Sequence, residues 1–484
     1  MWYLLRLRNE RAIAWGITAV ALAVRLYLST AFYLNPDEAI HVNAGSAGQW
    51  VIHHHPPLAL WWVWLATLVS DREWWLRLLP TLSGALTPLA AGLWLRYFLS
   101  PMTAWGLAAF IAVSPNLVLL SLQLRGYPMA ILGSVVALYA LERAFAESSR
   151  RMLAWHFVAL YVAILSEFGA VFLVVAVGLY GIAVLVRRPA LRSLLPVWLA
   201  GQAGGVLLYA LLYVYLVRVI SMQFPATDMF TSYMRASFPV ERNNWLLFFA
   251  AGTVKQFAYV GSSWVFGVAG TLLAMAGLAA WARRRDERVV LVAAVFLAVV
   301  GAIANFHPYG RSRHTALIGL VGLAAVGAGI ELCGRWKWVV ALVSAAALLM
   351  PVMDPHNLSN TQWDKRRWDG AMAQMELAMP EGTTLMTDRE SLHMMKARLL
   401  PREKRRIKVR KAGDFRFKGR VVVEAETFDW GGMTAAQIVA MAPAGPVWIV
   451  DMGFNADSLK TRERELGLTA VVDEPGVLYL GRLR

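Results

Sequence analysis

Long apolar runs recurring through the first 350 positions, basic residues gathered in the short loops between them, and a final stretch of about 130 residues without such runs predict the fold class: an all-α polytopic membrane domain followed by a small α/β domain. Of the 484 residues, 58% are hydrophobic and only 16% charged. A soluble chain of this length would need more polar surface to cover its core. The expected domains are therefore a transmembrane catalytic domain at 1–353 and a soluble domain at 354–484.

The elements follow in order. Arg6, Arg8 and Arg11 precede an apolar stretch over 12–34, which is too long for a signal peptide and lacks a small-x-small cleavage site. It is read as a retained first helix with its N-terminus in the cytoplasm. Further spans are expected at 79–96, 102–122, 128–146, 153–186, 194–218, 262–281, 289–305, 314–332 and 338–353. The 153–186 run exceeds one helix and divides at Ser166-Glu167-Phe168-Gly169, which makes about eleven membrane helices. The segment Pro56 to Ser70 is apolar but short; Trp61, Trp62 and Trp64, then Trp74 and Trp75, place it as an interfacial helix in the first outer loop.

With that placement the clusters Arg96, Arg150-Arg151, Arg187-Arg188-Arg192, Arg283-Arg284-Arg285-Arg288 and Arg335-Lys337 all fall on the cytoplasmic side. The net charge of +16 is thus mostly topology and implies no nucleic-acid partner. The same parity puts 35–77, 124–127, 219–260, 305–314 and the C-terminal domain outside the inner membrane. That domain alternates helical stretches (363–379, 458–466) with strand-like runs (421–423, 447–450, 477–480). Its basic run from Arg402 to Lys411 reads as a solvated face rather than an anionic-lipid contact. A single cysteine, Cys333, excludes a disulfide framework or a cysteine metal site.

The chemistry is carried by the outer loops. Asn35-Pro36-Asp37-Glu38-Ala39-Ile40-His41 sets two carboxylates and a histidine at the membrane surface. Taken alone, Asp37 and Glu38 read as a helix cap. They are followed, however, by His53-His54-His55-Pro56-Pro57-Leu58 and by Arg77-Leu78-Leu79-Pro80 at the start of the next span. Ser121-Leu122-Gln123-Leu124-Arg125-Gly126-Tyr127 and Tyr309-Gly310-Arg311-Ser312-Arg313-His314 complete the outer loops.

This order of Asp-Glu, His-Pro-Pro and Arg-x-x-Pro resembles the GT-C membrane glycosyltransferases, in the branch of the protein O-mannosyltransferases and aminoarabinose transferases. His55 stands where aminoarabinose transferases carry a lysine, and the C-terminal domain is not the β-trefoil of the O-mannosyltransferases. The resemblance implies an inverting transfer from a polyprenyl-phosphate sugar donor to an extracytoplasmic glycan, lipid or protein acceptor, with Asp37 as general base and Glu38 beside it.

Such chemistry needs a carboxylate to take the acceptor's proton. It also needs cations to stabilise the departing phosphate, for which Arg77, Arg125, Lys255, Arg311, Arg313 and His314 are candidates. His41, His55 and Tyr127 are expected near the substrate. His53, His54 and His55 have metal-ligand chemistry, but consecutive residues rarely aim three side chains at one ion, so no metal or other cofactor is expected. His156 reads as a core or interfacial histidine and Glu167 as either a turn residue or a functional one. Arg25, inside the first helix, implies a buried partner. A transporter or flippase of a lipid-linked saccharide is the alternative function; it should show internal repeats and ionisable sites near mid-bilayer, whereas here no repeat is seen and the charges cluster in the outer loops.

Overall fold

The computed structural model describes residues 2–49, 51–52, 55–218, 238–239, 244–304, 307–310, 313–334, 364–399, 415–417, 420–425, 430, 433–441, 446–453 and 457–483. In chain order the helices are α1 (Trp2–Ser29), α2 (Pro36–Ser46), α3 (Pro57–Thr67), α4 (Glu73–Leu76), α5 (Leu78–Leu95), α6 (Pro101–Val113) and α7 (Pro115–Ser121). They continue with α8 (Tyr127–Glu147), α9 (Arg150–Ser166), α10 (Val171–Arg187), α11 (Leu195–Leu212), α12 (Trp245–Gly261), α13 (Trp264–Arg283), α14 (Arg288–Val295), α15 (Ala298–Ile303) and α16 (Ala316–Leu332). The C-terminal segment holds α17 (Lys365–Ala378), α18 (Arg389–Leu399), α19 (Ala435–Met441) and α20 (Glu463–Leu466), interleaved with six strands.

Among the described residues seven helices are long and apolar enough to cross a membrane, or eight if the bent pair α6–α7 counts as one span. The other expected spans are shorter or fall elsewhere. The 153–186 run divides at the expected place, with α9 ending at Ser166 and a 3-10 turn at Phe168–Ala170 leading into α10. The span expected at 289–305 is two short helices, α14 and α15, and that at 338–353 lies outside the described residues. One expectation is corrected: 219–260 is not all loop, because α12 forms at its end and carries Lys255 and the buried Gln256. Those two polar residues interrupt the apolar run that would have revealed the helix.

The expected 102–122 span bends by 60° where α6 meets α7. Pro115 lacks an amide hydrogen and cannot continue the helical ladder. The next amide, of Asn116, donates instead to Ser262 Oγ at 2.9 Å, leaving the carbonyl of Ala112 without its helical partner. Arg25 takes it: Nη1 donates to Ala112 O at 2.8 Å and Nε to Ser121 Oγ at 2.9 Å. The buried arginine of the first helix is thus spent on stitching a broken one. His156 is fully buried on α9 and bonds through Nδ1 to Ala137 O at 2.8 Å, as a core histidine should.

Two compact units form. One comprises Met1–Leu26, Val51–Leu58 and Leu78–Asn357, the other Tyr27–Trp50, Ala59–Arg77 and Leu358–Arg484. Most of the first loop therefore clusters with the C-terminal domain, whereas the sequence set a single boundary after residue 353. The second unit is built on a six-stranded sheet of order β2-β3-β1-β4-β6-β5. Its centre is parallel: β1 (Thr384–Thr387) lies between β3 (Arg420–Glu424) and β4 (Val447–Met452). The edges are antiparallel, with β2 (Phe415–Phe417) on β3, and β6 (Leu478–Leu483) joining β4 to β5 (Leu468–Glu474). Fully buried Met386, Trp430, Ile438, Ile449 and Tyr479 share its core.

Candidate active site

The Asp-Glu motif opens α2. Asn35 caps the helix: its side-chain oxygen accepts from Glu38 N at 3.0 Å, while Glu38 Oε2 accepts from Asn35 N at 2.9 Å. Pro36 at the first turn presets the backbone angle, and two carboxylates there favour the helix dipole. Glu38 has a second partner. Arg77 Nε and Nη2 each donate to it at 2.9 Å in a two-pronged pair with both side chains almost fully buried. The remaining donors of Arg77 go to backbone carbonyls: Nη1 to Phe32 at 2.6 Å and Nη2 to Tyr33 at 2.9 Å. Burial alone would lower the Arg77 pKa, but Glu38 outweighs it and holds the guanidinium above its ordinary value.

Asp37 differs from its neighbour. It stands half-buried on the first turn of α2, and its carbonyl accepts a 2.7 Å bond from Nδ1 of the buried His41. The tryptophans of the loop are used structurally within this unit: Trp62 Nε1 donates to Leu76 O at 2.6 Å and Trp75 Nε1 to Ala66 O at 3.1 Å.

A second group of predicted residues assembles in the other unit. Arg125 and Tyr127 sit at the α7–α8 turn, with Arg125 Nη2 donating to Tyr127 Oη at 3.3 Å. His314 Nδ1 lies 3.2 Å from the same hydroxyl and 3.6 Å from Glu167 Oε1. The guanidinium carbons of Arg125 and Arg313 stand 5.5 and 5.8 Å from the Tyr127 ring centre, within cation–π range.

Two glycines make this cluster possible. A Cβ on Gly126 would lie 1.8 Å from Ser166 O, and one on Gly169 would lie 2.6 Å from His307 Nε2. Only bare backbone lets the α7–α8 and α9–α10 turns and the 307–310 loop come this close. Lys255 stands on α12 beside that loop: Tyr309 Oη is 2.8 Å from Thr253 Oγ1, and Gly310 packs against the lysine stem.

The structure thus gathers Asp37, Glu38, His41 and Arg77 in one unit, and Arg125, Tyr127, Arg313 and His314 in the other. His55 is half-buried in a bend. Arg311, His53 and His54 lie outside the described residues. Two residues of the second group were not among the predicted site residues. Glu167 was visible as a carboxylate at a span break. His307 was hidden, since one histidine in a loop carries no pattern. Burial first, and then the nearby His314, push the His307 imidazole down to about 4, although Glu167 opposes them. Its Nε2 has no hydrogen-bond partner among the described residues. No three metal-binding side chains gather among the described residues.

Residues 54–215 match the family described as dolichyl-phosphate-mannose-protein mannosyltransferase. Over whole chains, the structure matches ArnT from Cupriavidus metallidurans in the apo state, with a TM-score of 0.56, 13% identity and 98% of each chain covered. The chain shares the fold of ArnT. ArnT bound to undecaprenyl phosphate matches at a TM-score of 0.52, with 12% identity over 97% of each chain. The archaeal oligosaccharyltransferase AglB from Archaeoglobus fulgidus, in complex with an inhibitory peptide and a dolichol-phosphate, matches at 0.50; it shares 13% identity over 82% of this chain and 64% of its own. At such identities the likeness is one of fold. None of the curated proteins matches the chain.

Proposed function

We propose that this chain is an inverting glycosyltransferase that moves a sugar from a polyprenyl-phosphate donor to an acceptor on the outer face of the inner membrane. The fold likeness and the matched mannosyltransferase segment support the class, and the geometry of the first loop supports the base. The observation that carries this assignment is the division of labour between adjacent carboxylates. Glu38 is sealed against Arg77, while Asp37 remains half-buried on the same turn. A general base must be reachable by the acceptor.

In the proposed reaction the acceptor oxygen attacks the anomeric carbon from the face opposite the leaving group, and its proton passes to Asp37. The bond from that carbon to the phosphate oxygen breaks, and the electron pair leaves with the polyprenyl phosphate. Arg125, Arg313 and His314, with Lys255 and Arg311, are the groups proposed to stabilise the departing anion, since a guanidinium grips two oxygens at once and stays charged. Glu38 and Arg77 are assigned to the loop framework, because all their strong bonding capacity is spent on each other and on backbone.

The reading is tested by incubating purified protein with a panel of labelled polyprenyl-phosphate sugars and membrane extract. Label should move to an extract component with inverted anomeric configuration. Transbilayer movement of the intact donor without transfer would contradict it.

A further inference from the structure

In open α/β sheets, ligands bind outside the carboxyl ends of the parallel strands, at the point where successive connections leave in opposite directions. The second unit has such a point. From β1 the chain runs through α18 and the edge strand β2 to β3 on one side, then through α19 to β4 on the other side of β1. The carboxyl ends of β1 and β4 therefore flank the crevice, and the residues there are tied together. Asp388 Oδ1 accepts from Ser391 N at 2.8 Å, Ser391 Oγ accepts from Met452 N at 2.9 Å, and Asp451 Oδ2 accepts from Ser458 Oγ at 2.6 Å.

At this place lies a segment of the same chain, α2. Gly453, with φ +99° just past β4, is packed so tightly that a Cβ would sit 2.8 Å from Pro36 Cγ and 2.4 Å from Glu390 Oε1. Asn43, about two turns further along the same face of α2, donates from Nδ2 to His393 O on α18 at 2.9 Å and lies 3.3 Å from His393 Nδ1. Burial, with Lys396 and Arg389 nearby, pushes the His393 imidazole down to about 4, so the ring is neutral at neutral pH and Nδ1 can accept. An isolated helix of 11 residues is marginal in water, so α2 owes its place to these neighbours.

We propose that the C-terminal α/β domain is a positioning device for α2, with Asn43 and His393 as positioning residues that hold the Asp37 turn at its working angle. The proposal rests on the assignment of Asp37 as base. The helix that carries the reacting carboxylate thereby packs against α18 and the carboxyl end of β4, and the domain acts on turnover without touching substrate.

The test uses the full-length protein in nanodiscs, with turnover measured against the polyprenyl-phosphate sugar that serves as donor. Asn43→Ala should lower kcat about tenfold and leave the donor KM within about twofold, because a small misplacement of a reacting group slows chemistry more than binding. The isosteric Asn43→Asp, which loses the donor and keeps the volume, should be at least as slow. His393→Ala, which keeps the backbone acceptor, should lose less. In an Asp37→Asn background Asn43→Ala should cost nothing further, since the residue acts through that carboxylate. Hydrogen exchange should quicken in 36–46 and not in β1 or β4.

Unchanged turnover and unchanged α2 exchange in Asn43→Ala would overturn the proposal, as would a loss of protection spread equally through the sheet. An active Asp37→Asn enzyme in which Asn43→Ala still frees α2 and slows turnover would remove Asp37 as the base and leave the positioning role standing.

Discussion

Arg77 and Arg125 look alike in the sequence, each an arginine in a loop beside an apolar helix, yet they have opposite surroundings. Arg77 is enclosed, with Glu38 on both prongs and carbonyls on the rest, so its charge is cancelled where it stands. Arg125 shares a cluster with Arg313, His314 and Tyr127, and Glu167 lies against His314. A balanced, bidentate, buried pair fixes a backbone. A cluster that holds two guanidinium groups beside a tyrosine hydroxyl is the proposed place for an anion, because a guanidinium grips two phosphate oxygens at once and stays charged.

The comparison breaks most visibly on the side of stability. Arg77→Ala leaves Glu38 buried without its partner and should cost about 3 to 5 kcal/mol. Thermal unfolding should show a large loss, and Arg77→Lys, which keeps charge without the fork, should recover only part. If Arg77→Ala kept its melting temperature and lost donor binding instead, Arg77 would belong with the phosphate group. Arg125→Ala and Arg313→Ala should do the reverse. Donor affinity should fall by roughly 1.5 to 3 kcal/mol in titrations, the range for a hydrogen bond to a charged group, with little change in melting temperature and acceptor affinity.

The smallest effect concerns the C-terminal domain. Burial, and then the charge of Asp451, raise the Asp388 carboxyl well above its ordinary value. The folded state therefore binds a proton that the unfolded chain gives up near pH 4, and stability falls as pH rises from there toward the folded value. Asp388→Asn keeps the acceptor for Ser391 N and should stabilise the domain by about 1 kcal/mol at neutral pH, with no gain at pH 4. A gain that is equal at both pH values would remove the charge explanation.

The membrane class was legible because apolar runs of span length need no tertiary context, and so was the break at Ser166-Glu167, where one run was too long for a helix. The α12 helix was not, since Lys255 and Gln256 interrupt its apolar pattern and only packing buries Gln256. The kink at Pro115 was legible in principle; its repair by Arg25 was not, because the partners are about ninety residues apart. In the C-terminal domain the strands around 421–423, 447–450 and 477–480 showed as short apolar runs with β-branched or aromatic residues. The central strand β1, Thr384–Thr387, is only four residues long and offered no period to read. The first-loop motif pointed to Asp37 and Glu38 together. What sets them apart is Arg77, thirty-nine residues further along the chain, and no spacing rule states which of two adjacent carboxylates an arginine will close upon.

That difference is tested most directly by measuring turnover and melting temperature of Asp37→Asn and Glu38→Gln side by side. Asp37→Asn should lose at least about a hundredfold in kcat while melting as the wild type does, because only the base is removed. Glu38→Gln should melt earlier and lose less turnover when assayed well below its melting point. Near-normal turnover in Asp37→Asn, or an unshifted melting temperature in Glu38→Gln, would contradict the assignment of base and framework.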